Sequence, residues 1–503
     1  MVIGELTTRA ARRYPDKKAT LYKGRSQTFS EFNSRVNRLL DAFHQKGLEK
    51  GNKVSVYSRN NPEMLEILFA AAKGGMPWVP INFRLAPAEL KFVINDAEID
   101  LLIVDEQFWD VIQSIKNDLS VEKIVCLGDE YEKMIDSGSS EEPPIITEPA
   151  DLFSLMYTSG TTGGPKGVLL SHENFMAGVI NHTIAWRLGP NDVFYHAMPF
   201  YHGMESSMAL CMFGVCGTGV IVDVFNGDDF WKLVQEEGIT YSVGVYTMMI
   251  EIIRAYKEGG YSRGSFKSFA CGGQTIPSAT IRDSLETIGE GSIFQVYGLT
   301  ESSPLLTCMQ QEDIVLGGEA SKHMAAIGKE LFFCHVRVVD KDDNDVKPGE
   351  LGEIIGRGPN VSQGYWKRPK ETAEAFQDGW IRTGDIGTVD EDGYIYHKDR
   401  RKDLIITGGE NVSSYEVEDV VYKHPSVDMC SVIGVPHEKW GETVKAVVVL
   451  RQGQNATEDE IIEHCKKYLA KYKVPTTVSF ADDLPKDETG KISKLILRNK
   501  YAD

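Results

Sequence analysis

The chain carries eight cysteines, at 126, 211, 216, 271, 308, 334, 430 and 465, but no C-x-x-C pair and no His/Cys cluster at zinc spacing. A structural zinc site and a thioredoxin-type redox centre are therefore excluded, and buried reduced thiols are expected. Positive charge is also short. With 54 Lys and Arg against 73 Asp and Glu the net charge is −19, a field that repels nucleic acid backbones and anionic membrane surfaces. Nucleic acid is not expected as a partner, and any phosphate-bearing ligand must be met by local lysines, arginines and backbone amides. Long apolar runs are missing too. The longest uncharged run, Ser206 to Val222, is short for a membrane span and is interrupted by Gly214, Gly217 and Gly219. The opening "MVIGELTTRAARRYPDKK" has no apolar stretch of signal-peptide length. No integral membrane segment and a cytoplasmic location are the expectations, so the N-x-S/T match at Asn411 to Ser413 is read as chance.

What is present is the balance of a soluble globular protein, 42% apolar and 25% charged. A length of 503 residues implies more than one domain. Strand-like runs such as "KVSVYS" (53–58) and "LLIVDE" (101–106) alternate with helical ones such as "PEMLEILFAAAKGG" (62–75), an α/β pattern. The polar, proline-bearing, acidic stretch 136–151 reads as an exposed loop. Near residue 400 the character changes. A charge cluster, "HKDRRKDLII", leads into a compact series: a strand, a Gly-rich loop, and a helix from Ser413 with Glu416 three residues on. Apolar strands follow at 429–435 and 443–450, then a helix from Thr457 with Glu460 in the capping-box position, ending before Pro475. The reading is a large domain over 1–400 and a small α+β domain over 401–503, joined at Asp399 to Asp403.

The most unusual stretch is "LMYTSGTTGGPKGVLLSHENF" (155–175). Eleven of its residues, Thr158 to Val168, hold four glycines, a proline, a lysine and four hydroxyl side chains between two apolar segments. "LFSLMYTSG" reads as a strand entering this loop and "GVLLSH" as one leaving it. Ser171 then caps a helix with Phe175, Val179 and Trp186 on one face. Glycines let backbone amides converge on an anion without obstruction. Thr158, Ser159, Thr161 and Thr162 add hydroxyl donors and Lys166 adds charge, which suits a polyphosphate. It is not a Walker loop, because the lysine follows proline and no helix opens after it. Four further segments place polar, backbone-permissive sequence beside charge: "QVYGLTESSP" (295–304), "GWIRTGDIG" (379–387), "IITGGENVSSYEVED" and "LPKDETGKISK". Each is weak alone, and their joint order carries the weight.

With "YTSGTTGGPKG", "YGLTE", "TGD", "DRRKD", "GGENV" and "PKDETGK" in this order, nearly the whole chain resembles the adenylate-forming superfamily. That superfamily holds acyl-CoA synthetases, nonribosomal peptide adenylation domains and firefly-type luciferases, and the likeness is greatest to bacterial fatty-acyl and aryl-CoA ligases. The resemblance implies a multi-subdomain N-terminal domain and a mobile C-terminal one. It also implies ATP, Mg²⁺ and CoA, and two half-reactions. A carboxylate attacks the α-phosphorus of ATP to give acyl-adenylate and pyrophosphate; a thiol then displaces AMP.

On the family pattern Thr158, Ser159, Gly160, Thr161, Thr162, Gly163 and Lys166 would hold the β- and γ-phosphates. Glu301, with Thr162, would hold Mg²⁺, and Thr300 would meet the α-phosphate. Tyr297 and Gly298 would pack at the adenine, with Gln295 near its amino group, and Asp385 and Arg400 would bind the ribose hydroxyls. Lys491 matches the catalytic tail lysine. Lys402 falls at the hinge, and Gly408 and Gly409 would line the pantetheine tunnel after the small domain turns. The acid pocket would draw on His202, which resembles the family's gate near the phosphates, and on Gly203, Met204, Tyr246, Gly272, Gly273 and Leu299.

Tyr246, where relatives usually have proline, and Gln274, where they have a small residue, depart from the pattern. No Asp stands in "PFYHGMES" to hold an α-amino group, although Glu205 is close. An apolar carboxylic acid is therefore expected, a medium- or long-chain fatty acid foremost, an aryl or alicyclic acid otherwise. Loading of a carrier protein in trans and a homodimer stay open.

Overall fold

A computed structural model of the chain describes residues 1–158, 165–273, 276–486 and 491–501. Among these residues two large sheets, each with a parallel core, carry the chain up to Glu330. One has strands Val54–Tyr57, Trp78–Ile81 and Leu101–Val104 at its centre, every residue buried, as a sheet covered on both faces requires. It ends in the antiparallel pair Leu152–Thr158 and Lys166–Ser171. The other runs Ser268–Cys271 between Tyr241–Gly244 and Ile293–Tyr297, all parallel.

The helix Pro62–Lys73 has Asn61 as N-cap, proline at its first position and Gly74 at its end, each in the place its backbone chemistry favours. It is buried from Met64 to Lys73, so its polar side chains need internal partners. Glu66 receives Arg35 at 2.6 Å and the Tyr131 hydroxyl at 3.0 Å.

The stretch 136–151 is largely the exposed loop expected, once its first residues have finished the helix Asp129–Ser137; Lys73 adds an anchor to it. Glu142 then accepts hydrogen bonds from the buried Lys73 ammonium at 2.7 Å and from Asn33, Asn37 and Thr8. Burial alone would raise the Glu142 carboxyl, but these donors outweigh it and hold it at about 2.

A third sheet is antiparallel and contains Gly352–Arg357, Trp380–Val389 and Ile395–Arg400. After the turn at 401–404 the chain enters a fourth sheet with Ile405–Thr407, Val427–His437, Gly441–Leu450 and Thr477–Phe480. Side chains of this sheet are buried on both faces. Val432 and Val448 pack with Val417 and Ile461 from the helices Ser414–Val421 and Glu458–Lys466, and Ile433 and Val447 pack with Leu497 from Lys494–Tyr501. Thr457 and Glu460 form a reciprocal capping box. Ser413 caps its helix through Glu416 N, but the Glu416 carboxylate turns instead to Lys473 at 2.7 Å. None of the eight cysteines is in a disulfide, and all but Cys126 are buried. Among the described residues no helix is long and apolar enough to cross a membrane.

Candidate active site

The hairpin that carries the glycine-rich loop is zipped up to its last described pair, Thr158 opposite Lys166. The positions expected to contact phosphate at Ser159, Gly160, Thr161, Thr162 and Gly163 lie outside the described residues. Beside the hairpin the segment Gly364–Trp366 bonds along Gly167 and Leu169. This sets the Tyr365 ring 5.4 Å from the Lys166 ammonium, while the Tyr365 hydroxyl donates to Glu301 Oε1 at 2.8 Å. Glu301 is 8% exposed. Burial raises its pKa, and the Tyr365 hydrogen bond and the charges of Arg400 and Lys166 only partly oppose that rise. A buried carboxylate whose pKa is raised by burial would gain from a hard cation, so Glu301 fits the expected Mg²⁺ ligand.

Strand Ile293–Tyr297 ends at the "YGLTE" turn. A side chain on Gly298 would stand 2.1 Å from the Pro304 carbonyl oxygen, so only glycine lets the two backbones approach. Thr300 then opens the short 3-10 turn Thr300–Ser302. The Tyr297 hydroxyl donates to Asp385 Oδ2 at 2.8 Å. Asp385 and Arg400 are cross-strand partners, and Arg400 Nε and His397 Nε2 lie 3.4 and 3.6 Å from Asp385 Oδ1. Burial works to raise the Asp385 pKa, but the His397 contact and the Arg400 charge prevail and lower it. Oδ1 nevertheless has no hydrogen-bond partner among the described residues. A buried carboxylate oxygen that lacks a donor suits a ribose hydroxyl. Gln295, also buried, donates its amide to the Met324 carbonyl at 2.9 Å.

The residues expected to line the acid pocket follow the carboxyl ends of neighbouring parallel strands, the side on which the ligand crevice of such sheets usually lies. Gly272 and Gly273 follow Ser268–Cys271, Leu299 follows Ile293–Tyr297, and Tyr246 follows Tyr241–Gly244. His202 stands at the start of the helix Gly203–Val215, its ring 4.7 Å from that of Tyr201. Gly203 lies against Met156 and Pro304, and Met204 packs on the core. Tyr246 is nearly fully buried. Its hydroxyl meets Thr280 Oγ1 at 3.1 Å and its ring lies 6.0 Å from that of Tyr422 in the fourth-sheet region. Glu205 is fully buried and turned onto His196, Oε1 to Nδ1 2.7 Å.

A cleft of about 860 Å³ lies between the chain before residue 400 and the chain after it, lined by Gly273, Arg400, Lys402, Tyr415 and Lys491 among others. Gly273 has φ +81°, and a Cβ there would come within 2.5 Å of Lys491 Cε. The tail segment that delivers Lys491 is anchored by Lys494, whose ammonium bonds Ser414 and lies 3.0 Å from Glu418 Oε1 and 4.4 Å from the Tyr415 ring centroid. Gly408 and Gly409 do not line this cleft; they sit at a hairpin tip where Gly408 N donates to the Trp440 carbonyl at 2.9 Å.

Three residues here were missed in the sequence: Tyr365 under Glu301, His397 beside Asp385, and Tyr415, whose ring meets that of His397 at 5.3 Å. No spacing sets Tyr365 or Tyr415 apart from the other tyrosines, of which the chain has 20.

Residues 7–366 match the family of AMP-binding enzymes, and residues 416–491 match the AMP-binding enzyme C-terminal domain. A feruloyl-CoA synthase of Amycolatopsis sp is 34% identical over 503 residues, covering 99% of each chain. A long-chain-fatty-acid–CoA ligase of Mycobacterium tuberculosis is 33% identical over 481 residues, covering 94% of this chain and 93% of that one. Among solved structures, ATP-bound MatB from Rhodopseudomonas palustris superposes with a TM-score of 0.91 at 30% identity, covering 100% of this chain and 99% of that one. The apo form of that protein, at the same identity and coverage, gives 0.81. The chain belongs to the family of AMP-binding enzymes and is an AMP-forming acid–CoA ligase.

Proposed function

We propose that this ligase activates an apolar monocarboxylic acid, with a medium- or long-chain fatty acid as the first reading. The observation that carries the reading is the tail lysine lying across Gly273 in the same cleft as Arg400. That lysine meets the crevice where an acid carboxylate and the α-phosphate of ATP would react.

Two anions must approach each other there, so the step is limited by charge and by orientation. Lys491 neutralises the negative charge that concentrates as the carboxylate oxygen bonds the α-phosphorus and the pyrophosphate oxygen departs. Thr300 orients the α-phosphate. Lys166, with Thr158 and the loop 159–163, holds the β- and γ-phosphates. Asp385 and Arg400 take the ribose hydroxyls, and Tyr297, Gly298 and Gln295 take the adenine. Glu301, with Thr162, would hold Mg²⁺, which supplies countercharge to the phosphates when bound. The small domain, 401–503, then turns about Lys402, withdraws Lys491 and brings Gly408 and Gly409 to the site. The CoA thiol attacks the acyl carbon and AMP leaves. Cytoplasmic location and a homodimer belong to the same proposal.

The acid pocket of His202, Gly203, Met204, Tyr246, Gly272, Gly273 and Leu299 is mostly apolar. Glu205 is a poor partner for an α-amino group: it is fully buried, its Oε1 is held by His196, and burial pushes its pKa well above the ordinary carboxylate value. An aryl acid is the second reading, supported by the aromatic Tyr246 and by the feruloyl-CoA synthase relative. The test is a panel of fatty, aryl and amino acids, each assayed for AMP release dependent on ATP and CoA, with Lys491→Ala as control. Release with apolar acids only, lost in the variant at the pyrophosphate-forming step, is expected. Release with amino acids, or a variant equally impaired when given acyl-adenylate, would overturn the assignment.

A further inference from the structure

The helix Ser414–Val421 is tied to the large domain at both ends of its first turns, by two contacts of the same design. Ser414, its first residue, donates through N and Oγ to Asp399 Oδ2 of the large domain, at 2.8 and 2.7 Å. In the other direction Asp419, on this helix, accepts at Oδ1 from N and Oγ of Ser278, at 3.1 and 2.9 Å. Ser278 is the first residue of the large-domain helix Ser278–Thr287, whose N-cap, Pro277, offers no side-chain cap. Each domain thus contributes the carboxylate that satisfies a helix start in the other, where backbone N–H groups lack partners and negative charge is favoured. The second oxygen of Asp419 pairs with Lys423 at 2.8 Å within the same helix. Tyr422, the residue after the helix, packs on Tyr246.

Ser278 lies five positions beyond Gly273, the residue over which Lys491 sits. The same short stretch of large domain is therefore held by Asp419 and overlain by the tail lysine.

We infer that Asp419 is a positioning residue for the acid-activating half-reaction. Its bond to Ser278, matched by that of Ser414 to Asp399, latches the small domain in the orientation that delivers Lys491. This rests on the two-step reading proposed above. Rotation about Lys402 breaks both contacts, because each joins residues on opposite sides of the hinge. Asp419 then retains only Lys423, and the start of the helix Ser278–Thr287 loses its acceptor. The latch stabilises the orientation for adenylation against the orientation for thioester formation and so sets how the two steps share the enzyme's time.

The experiment compares Asp419→Ala, Asp419→Asn, Ser278→Ala and the double variant Asp419→Ala/Ser278→Ala. Acid-dependent pyrophosphate release and thioester formation from supplied acyl-adenylate are measured separately. Loss of a helix-start acceptor predicts a fall of about tenfold in the first for Asp419→Ala, with the second unchanged or faster. Asp419→Asn keeps an accepting oxygen and recovers most of the loss. Ser278→Ala, on the other domain, lowers the same step, and the double variant is no worse than Asp419→Ala, as for partners in one contact. Hydrogen exchange of the segment 276–282 rises in Asp419→Ala. An equal fall in both half-reactions, additive single effects, or unchanged exchange at 276–282 would overturn the latch. Absence of acid-dependent pyrophosphate release from the unaltered enzyme would instead overturn the two-step reading, and the exchange measurement would still report on the contact.

Discussion

Lys491 lies over Gly273 so closely that a methyl group at Gly273 would sit 2.5 Å from its Cε and 3.0 Å from its Nζ. The site is completed only when the far end of the chain reaches back to a turn whose φ of +81° already calls for glycine.

Gly273→Ala is therefore expected to displace the lysine and to strain the turn as well. Acid-dependent pyrophosphate release should fall by about a hundredfold or more, on the scale of losing one charge-stabilising group. Conversion of supplied acyl-adenylate to thioester should fall far less. Comparable losses in both assays would show that the glycine serves the fold alone.

Tyr365→Phe removes the hydroxyl that donates to Glu301. That bond favours the ionised carboxylate against a burial that already raises its pKa. Without it the pKa moves further upward, so the acidic limb of the pH–rate profile for adenylation shifts to higher pH. The Mg²⁺ concentration needed for half-maximal rate rises with it. A profile that overlays the unaltered enzyme would remove Tyr365 from this role.

Lys402→Pro addresses the hinge. In the observed turn Asp403 N and Leu404 N both donate to the Arg400 carbonyl, while Lys402 N makes no hydrogen bond among the described residues. Proline at 402 removes no N–H bond in this orientation, although it disfavours the turn backbone at Arg401, and it locks φ against the change rotation needs. Thioester formation should slow by more than tenfold with adenylation within about twofold. Equal rates in both steps would move the hinge elsewhere.

Lys73→Met and Glu142→Gln test the buried tie beneath the 136–151 stretch. Removing Lys73 leaves Asn33, Asn37 and Glu142 without their shared donor and should cost about 1–3 kcal/mol in urea unfolding. The half-exposed Glu142 should cost less, about 1 kcal/mol or under at neutral pH. Its folded pKa of about 2 lies below its ordinary 4.5. Its contribution is therefore complete above 4.5 and shrinks as pH falls toward 2, so the gap between Glu142→Gln and the unaltered chain narrows below pH 4.5. A gap that widens on acidification would contradict the tie.

Much of the fold was legible because its signals are local. The helix at 62–73 was legible in its apolar run and its glycine end, and the one after Ser171 in its cap and in Phe175, Val179 and Trp186, which are buried. The strands at 429–435 and 443–450 were placed but cut short; pairing extends them to Val427–His437 and Gly441–Leu450 because each supplies the other's ladder beyond its apolar centre. The stretch 136–151 was legible as an exposed loop from its polar composition, but the tie of its Glu142 to the buried Lys73 was not, because that partner lies 69 positions away.

The amino-acid sequence by itself determined which chemistry was available: a glycine-and-hydroxyl hairpin with its lysine, a carboxylate after "YGLT", a carboxylate within "TGD" and a lysine in the tail. These depend on neighbours a few residues apart, where backbone geometry leaves few choices. Only the tertiary structure decided the partners. Tyr365 reaches Glu301 across 64 positions and Asp419 reaches Ser278 across 141. Glu205 Oε1 meets His196 inside the core, and Lys491 comes to rest on Gly273. Such pairings follow from how sheets, helices and a second domain pack together, and no periodicity along the chain records them.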